Sequence, residues 1–372
     1  MLEIYRYPPS IRAVFADLSD PMTTKLLVAR DRALYRGLRY IERNTRHPEA
    51  IQGLGSALLY ALSFMATTAL DREVRSYARQ LALRSFHLWK WNWPDLPDEL
   101  DADTLSEFVH ACGALERVGL RFPRLKRRLR TASRRFATTE YLWFDPHREP
   151  PPADVPEVCS CGSTSPRRRR RCVNPECGSA LERMSRLRLW TLSLTSVFCG
   201  DRHGVPFGIT YEEMMQWLPY MRAYGRPRQG LASFYDSAYA ISHVVYTLND
   251  YGVWLLDPRL LPHEFEYLVD HLDAALEVGD PDMVGEFLDS LRAFGLGNDD
   301  AHVAAGIEFL VVAQNRDGSW GSQEDGAEYP RFHATWAALD GLRDFAWRGY
   351  GLSYPRLGPA LARWARRPPS SP

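Results

Sequence analysis

The chain has 372 residues, of which 45% are hydrophobic and 25% charged, with 46 basic and 46 acidic side chains. This composition is typical of a folded globular protein and excludes a mainly disordered chain, a collagen-like fibre and a long coiled coil. The longest apolar stretches, residues 60–70 and 303–313, are too short to span a bilayer. The first residues lack the pattern of a secretory signal, so we expect a cytoplasmic protein.

Apolar residues recur with helical periodicity along nearly the whole chain, and no segment shows the sustained alternation of a strand. Proline, glycine and Asp-Pro pairs mark the breaks between the helices. The predicted helices cover residues 23–44, 54–69, 70–90, 103–118, 123–136, 182–197, 210–222, 231–250, 260–277, 281–294, 299–315, 331–346 and 356–366. Short helices joined by short loops predict an all-α fold of stacked helical hairpins.

One segment interrupts the helical pattern. Residues 149–181 are rich in proline, cysteine and arginine and poor in large apolar side chains. We expect them to form an insertion between a first helical half, residues 1–148, and a second half, residues 182–366. Residues 367–372 are expected to be a disordered tail.

The insertion contains four cysteines in the pattern C-x-C-x10-C-x4-C, namely Cys159, Cys161, Cys172 and Cys177. Four thiolates complete the tetrahedral coordination of zinc and leave no open position, so the pattern predicts a structural zinc in a ribbon-like insertion. A segment with so few apolar side chains needs a metal to hold its shape. Gly162 and Gly178 follow the second cysteine of each pair and permit tight turns. The alternative is a set of unpaired surface thiols.

Five consecutive arginines, Arg167–Arg171, lie between the two cysteine pairs. Guanidinium groups bind phosphates, so this run could contact RNA or DNA. The rest of the chain is not basic, and no aromatic side chains alternate with the arginines to stack on bases. We therefore expect a solvated charged loop and keep nucleic acid binding as the alternative.

Three predicted helices carry a stripe of acidic, histidine and aromatic residues opposite an apolar face. The stripes consist of Asp103, Ser106, Glu107 and His110; of Asp236, Tyr239, His243, Tyr246 and Asp250; and of His333, Trp336, Asp340 and Asp344. Lysine and arginine, which dominate ordinary solvent-facing helix surfaces, are absent from all three stripes. The stripes are therefore predicted to line a cavity.

Histidines in these stripes are the candidate metal ligands. Glu107 and His110 have the i, i+3 spacing that lets a carboxylate and an imidazole share one metal ion. His203, in the predicted loop after helix 182–197, is an additional candidate. A single histidine is more often a structural residue than a ligand, so the hypothesis of a functional cavity depends on the three stripes together.

The last quarter of the chain contains a recognisable motif. Residues 305–320 read AGIEFLVVAQNRDGSW and are followed by FHATWAAL at 332–339. This segment resembles the QW repeat of terpenoid cyclases and their relatives, in which a helix ends at the glutamine (Gln314), a turn (Asp317-Gly318) reverses the chain and the tryptophan (Trp320) packs back on the loop. The resemblance implies an α/α toroid, in which inner and outer helices alternate around a central cavity.

Two shorter motifs also resemble this superfamily. Asp101-Ala102-Asp103-Thr104 is similar to the D-x-D-D signature of protonation-initiated terpene cyclases, which implies that Asp103 delivers a proton to the substrate. Thr104 replaces the final aspartate. Protein prenyltransferase β-subunits hold zinc with Asp, Cys and His, and Asp236 and His333 are similar to two of those positions, whereas Ala238 stands at the position of the cysteine.

Three functional hypotheses follow. The first is a terpenoid-cyclase-like enzyme that acts on a small apolar, isoprenoid-derived substrate, with Asp103 as the general acid and Asp236, His243 and His333 around it. The second is an enzyme of specialised metabolism that binds a second, catalytic metal through histidines and carboxylates of the stripes. The third is a non-catalytic toroid that docks nucleic acid or a carrier protein through its arginine-rich zinc ribbon.

Overall fold

The computed structural model describes residues 24–46, 48–93, 95–156, 159, 161, 163, 165, 169–324 and 328–366. Within these residues the chain is mostly helical, and its single sheet has two short strands. The prediction of an all-α fold is therefore confirmed. Among the described residues, no helix is both long enough and apolar enough to cross a membrane.

The helices are α1 (Thr24–Asn44), α2 (Pro48–Thr68), α3 (Arg72–Asn92), α4 (Ala102–Arg117), α5 (Pro123–Ser133), α6 (Thr138–Leu142), α7 (Arg186–Arg202), α8 (Tyr211–Met214), α9 (Leu218–Met221), α10 (Leu231–Leu248), α11 (Pro262–Val278), α12 (Pro281–Ala293), α13 (Ala301–Ala313), α14 (Glu328–Leu342) and α15 (Gly358–Trp364). The strands β1 (Val155–Pro156) and β2 (Arg183–Met184) pair antiparallel at the two ends of the cysteine-rich segment.

Most predicted helices correspond to observed ones, and the differences have local causes. The predicted helix 210–222 is divided into α8, a 3-10 turn and α9, and Pro219 lies in the first turn of α9, where its missing amide hydrogen is tolerated. In α2, Gly55 adopts a φ of 57°, which breaks the helix near the predicted start at residue 54. Helix α10 ends at Leu248, so Asp250 is not part of it.

The chain folds into two compact units that each combine segments distant in sequence. The described residues of the first unit lie in the stretch up to Asp98 and in His110–Arg121 and Leu248–Ala365. Those of the second unit lie in Glu99–Val109 and Phe122–Thr247 and include Arg366. Helix α4 contributes its first half to the second unit and its second half to the first. The predicted division into 1–148, 149–181 and 182–366 stays a prediction.

In the first unit, α12 and α14 pack side by side and run in the same direction. Asp282 near the start of α12 contacts His333 near the start of α14, and Arg292 near the end of α12 donates a hydrogen bond to the carbonyl of Gly341 near the end of α14. The backbones approach closely because Gly285 lies at the contact. This pairing aligns one face of α12 with one face of α14 over their whole length.

Replacing Gly285 by alanine is expected to lower the free energy of unfolding by about 2 kcal/mol, because the new methyl group overpacks the contact between α12 and α14. A Cβ at this position would lie 2.5 Å from the carbonyl carbon of Ala337, which is backbone and cannot swing away. Chemical denaturation measures the effect. Gly358→Ala is the control, because a Cβ there meets only Leu352 at 3.8 Å. Equal denaturation midpoints for both variants would contradict the close packing of α12 against α14 at Gly285.

The segment that resembles a QW repeat joins α1 to the C-terminal helices of the first unit. Trp320 is fully buried and its indole Nε1 donates to the carbonyl of Leu310 at 2.7 Å. The side chain of Gln314 donates to the carbonyls of Ala33 at 2.8 Å and Gly318 at 3.0 Å. The predicted helix end, turn and returning tryptophan are therefore present, whereas the arrangement of the helices as a toroid stays a prediction.

The second unit contains the first half of α4, α5 to α9, α10 up to Thr247 and the cysteine-rich segment. Its helical core includes the stacked rings of Tyr141 and Phe207, 4.4 Å apart, and the fully buried Trp190. Tyr211 is also buried, and its hydroxyl lies 2.7 Å from that of Thr247 on α10. The cysteine-rich segment has a small core of its own, formed by Cys159, Cys172 and Leu181 with Cys177 packed against it. Among these described residues, Leu181 is the one aliphatic side chain.

Candidate metal centres

The four cysteines of the second unit converge. Their sulfur atoms all lie within 4.8 Å of one another, and none forms a disulfide. Sγ of Cys159 is 3.6 Å from Sγ of Cys177, and Sγ of Cys161 is 3.5 Å from Sγ of Cys172. A zinc ion with four sulfur ligands at its usual bond length places those sulfurs about 3.8 Å apart. The cluster could therefore hold one metal ion.

Hydrogen bonds favour the thiolate form of two of the four cysteines, whereas burial raises the pKa of Cys172 to about 11. The hydroxyl and backbone amide of Ser163 lower the pKa of Cys161 to about 6, and those of Ser179 lower the pKa of Cys177. In both cases the serine lies two residues after the cysteine. Gly178 adopts a φ of 57°, which explains the glycine after Cys177. These turns stabilise thiolates, which are the form of cysteine that binds metals.

Arginines next to the cluster are engaged within the segment itself. Arg171 donates to the carbonyl of Gly178 at 3.0 Å, and Arg170 lies 3.9 Å from the carboxylate of Asp154. Arg183 also binds Asp154, at 2.8 Å. Arg167 and Arg168 lie outside the described residues. The described part of the arginine run thus has internal contacts, and nucleic acid binding stays a prediction.

A second cluster lies in the first unit, on the paired helices α12 and α14. Ligand atoms of Asp282, Glu286 and His333 all lie within 4.8 Å of one another. Asp282 and Glu286 are one turn apart on α12, and His333 approaches them from α14. We call these three residues the α12/α14 centre. Two carboxylates and an imidazole at this separation could hold one metal ion.

His333 is oriented by Asp282. Its Nδ1 lies 2.9 Å and 3.0 Å from the two carboxylate oxygens of Asp282. Burial disfavours the charged imidazole, but the charge and hydrogen bond of Asp282, followed by the charges of Glu286 and Asp280, raise the pKa of His333 to about 9. The side chains of His333 and Asp282 remain 24% and 18% exposed. The centre is therefore negatively charged around its histidine and accessible from solvent.

Two further carboxyl groups continue the polar stripe into the core. Asp289 lies on the same face of α12 as Glu286, and Asp340 lies two turns beyond His333 on α14. Asp340 accepts hydrogen bonds from the indole of Trp336 and the guanidinium of Arg343, both at 2.6 Å. Oδ1 of Asp289 is buried and has no hydrogen-bond partner within the described part of the chain. Desolvation and then the charge of Asp340 raise the pKa of Asp289 to about 8, against the opposing charges of Arg343 and Arg292.

Replacing Asp289 by asparagine is expected to make the protein progressively more stable than the wild type as the pH rises from 5 to 7. The folded state keeps the proton of Asp289 up to about pH 8, whereas an unfolded aspartate loses it near pH 4. The unfolded state thus binds fewer protons in this window, so wild-type stability falls as the pH rises, by up to about 1.4 kcal/mol per pH unit from this group. Denaturation at pH 5, 6 and 7 measures the difference. Asp273→Asn, at an exposed position of α11, is the control, and a constant offset for Asp289→Asn would contradict the expectation.

The structure distributes the predicted site residues over several places. His333, Trp336 and Asp340 share one face of α14 and belong to or adjoin the α12/α14 centre. Asp103 and Glu107 lie exposed on α4, and His110 follows them with its ring 6.1 Å from that of Tyr60. Partial desolvation of the carboxyl and then the charges of Asp101 and Glu107 raise the pKa of Asp103.

The stripe on α10 is held together by its own contacts. Nδ1 of His243 lies 2.8 Å from the carbonyl of Tyr239, and its ring is 5.6 Å from that of Tyr246. Asp236 is half-buried on the same helix. His203 is the residue after α7, and its backbone amide donates to the carbonyl of Cys199 at 3.1 Å.

Asp250 lies in the turn after α10 and forms an ion pair with Arg117. Asp250 and Tyr251 both have positive φ, and the guanidinium of Arg117 lies over the ring of Phe64 at 3.9 Å. The ring of Phe64 in turn stacks on that of Tyr251 at 4.3 Å. Asp250 is thus bound to an arginine of α4.

Sequence reasoning missed the acidic residues of α12. Asp282, Glu286 and Asp289 occur at i, i+4 and i+7 within the predicted helix 281–294. This spacing places all three on one face of a helix whose other residues are mostly buried and apolar. A search for polar residues on one face of a helix finds these three acidic residues. The three predicted stripes, however, each contain a histidine, and α12 contains none.

Residues 225–338 match a protein family described as Domain of unknown function (DUF6895). The match begins before α10 and ends within α14, so it includes Asp282, Glu286 and His333. No curated protein matches the chain.

Proposed function

We propose that this protein is a metal-dependent enzyme whose active site is the α12/α14 centre. The observation that carries the proposal is the convergence of Asp282, Glu286 and His333 within 4.8 Å, on two helices, at a position where His333 and Asp282 keep access to solvent. Three protein ligands leave coordination positions open for water and substrate, as in catalytic rather than structural sites. An imidazole with two carboxylates suits zinc, manganese or iron.

The residues of the centre support metal-assisted hydrolysis or hydration. A divalent cation bound here would polarise a substrate oxygen and lower the pKa of water. In the structure without metal, Asp282 holds the imidazole of His333 through contacts to Nδ1, and a bound cation would take the place of the proton shared between them. The charge of Glu286, which helps to keep His333 protonated in the absence of a cation, favours replacement of that proton by a metal ion. Asp289 can hold a proton near neutral pH, one turn further along α12.

For the cysteine cluster we propose a structural zinc. Four sulfur ligands leave no open coordination position, and the sulfur separations of 3.5 and 3.6 Å are close to those of a tetrahedral zinc site. The few apolar residues around the cluster support the same role, because a core of this size does not stabilise a fold by itself. We further propose the α/α toroid as the arrangement of the helices, supported by the parallel α12 and α14 and by the attachment of α1 to the QW-like segment.

Titration with cobalt(II) after removal of bound metal tests the proposed function. Cobalt bound by the cysteines gives an intense sulfur-to-metal charge-transfer band, whereas cobalt bound by nitrogen and oxygen gives only weaker d–d bands. We expect two equivalents per chain, one with each signature, and loss of the weaker one first under mild chelation because that site is open. A single equivalent with only the charge-transfer signature would contradict the proposed enzyme and leave the structural metal.

A second candidate function is the acid-initiated cyclisation implied by the resemblance to terpenoid cyclases. The observation that favours it is that partial burial and the charges of Asp101 and Glu107 raise the pKa of Asp103, which is the direction that a general acid needs. Conversion of a polyprenyl substrate in the presence of a strong chelator, and its loss in Asp103→Asn, would support cyclisation. Equal conversion by Asp103→Asn would remove Asp103 as the proton donor.

A further inference from the structure

Aromatic side chains flank His333 on the exposed face of α14. Tyr329 lies one turn before His333 and Trp336 one turn after it, so both belong to the same helix face. Their ring centroids are 6.1 Å and 5.6 Å from the imidazole, and Trp336 meets it edge to face. Tyr329 is 47% exposed, so part of its side chain faces solvent.

The indole of Trp336 is fixed by a chain of hydrogen bonds. Its Nε1 donates to Asp340 at 2.6 Å, Asp340 accepts from Arg343 at 2.6 Å, and Arg343 also donates to the hydroxyl of Thr68 on α2 at 2.9 Å. Arg343 and Thr68 are buried. Ligand binding therefore does not have to immobilise this ring, which lowers the entropic cost of using it as a contact surface.

Charges in the centre restrict the head group of the ligand. Asp282 and Glu286 together carry two negative charges, which balance one divalent cation. The charge of Asp280 also acts on His333 and is negative, and the two rings beside the imidazole are neutral, so these surroundings do not favour a diphosphate. The negative charge of the centre favours a ligand head group that is uncharged or singly charged and that binds the metal through oxygen.

Building on the proposed function, we propose that the substrate of this centre has an oxygen-donor head group, such as a carboxylate or carbonyl, joined to a flat apolar body that lies between Tyr329 and Trp336. The head group occupies the open coordination positions beside Asp282, Glu286 and His333. The flat body contacts the two rings, and stacking and the exclusion of water stabilise this contact. Tyr329 and Trp336 are thus specificity-determining residues.

Two hydroxamic acids test this inference on the zinc-loaded full chain. Benzohydroxamate and acetohydroxamate offer the same two oxygens to the metal, but only the first carries a flat ring. We expect benzohydroxamate to bind about tenfold more tightly in isothermal titration calorimetry. Tyr329→Ala and Trp336→Leu are each expected to reduce this ratio towards one, because they weaken the binding of benzohydroxamate more than that of acetohydroxamate, whereas Trp336→Phe keeps part of the preference.

Trp91→Leu is the matched control, because Trp91 is 79% exposed on α3 and should not alter the ratio. Equal affinities of the wild type for the two hydroxamates, or a preference that survives in both Tyr329→Ala and Trp336→Leu, would overturn the inference and leave the proposed function standing. Absence of metal from the α12/α14 centre, measured by elemental analysis of the same sample, would overturn the proposed function and the inference together.

Discussion

Replacing Cys172 by serine is expected to abolish metal binding by the cysteine cluster and to unfold the segment between Cys159 and Leu181. The segment has almost no core besides the cysteines themselves, since Leu181 is the only aliphatic residue in its described cluster. Zinc binding contributes on the order of 10 kcal/mol to the folding of comparably small metal domains. The described part of this core contains no other interaction that could replace a contribution of that size.

Limited trypsin digestion measures this effect, because Arg169, Arg170 and Arg171 are exposed within the segment. We expect rapid cleavage there in Cys172→Ser and in the chelated wild type, with the helices of the first unit intact. Cys112→Ala removes a buried thiol outside the cluster and should retain the zinc of the cysteine cluster. A Cys172→Ser protein that kept its zinc and resisted trypsin would show that the cluster does not hold the segment together.

His333→Ala and Glu286→Gln are expected to weaken metal binding at the α12/α14 centre by at least about 100-fold each. Loss of a residue that only orients a metal ligand lowers the metal affinity 10- to 100-fold, and removal of the ligand itself should lower the affinity by at least as much. Glu286→Gln is the more specific test of metal ligation, because it preserves the volume of the side chain and removes only the charge and one oxygen ligand. Cobalt titration monitored by the weaker d–d bands measures the affinity.

His302→Ala is the matched control for these variants. His302 also contacts an aspartate, with Nδ1 3.2 Å from the carboxylate of Asp300, but no third ligand joins this pair among the described residues. We expect wild-type affinity in His302→Ala, and the cysteine site should bind its metal in all three proteins. If His333→Ala retained wild-type affinity, His333 would not be a ligand and the proposed active site would be wrong.

The cysteine cluster could be predicted because its determinants are local. The four cysteines lie within one short segment, and the turns that present Cys161 and Cys177 are stabilised by serines two residues further along. Such turns depend on the residues next to each sulfur and not on distant packing. What the spacing alone did not predict is that Arg170 and Arg171 turn back on Asp154 and Gly178.

Polar stripes on single helices were a less reliable guide, because the partners of a stripe come from other helices. The stripes themselves contain no arginine, and the sequence therefore predicted a cavity without basic groups. Packing nevertheless brings Arg117 to Asp250 and Arg30 and Arg292 to Asp344. The long arginine side chains reach these carboxylates from neighbouring elements, and helical periodicity within one segment contains no information about them.

The sequence by itself determined that this protein is helical, where most of its helices lie, and which four cysteines form one cluster. These features depend on periodicity and on neighbours within a few residues. Only the tertiary structure decided that His333 meets Asp282 and Glu286, because 51 positions separate His333 from Asp282 and the contact requires α12 and α14 to pack in parallel. That packing in turn depends on the close approach at Gly285, which is a property of two helices together.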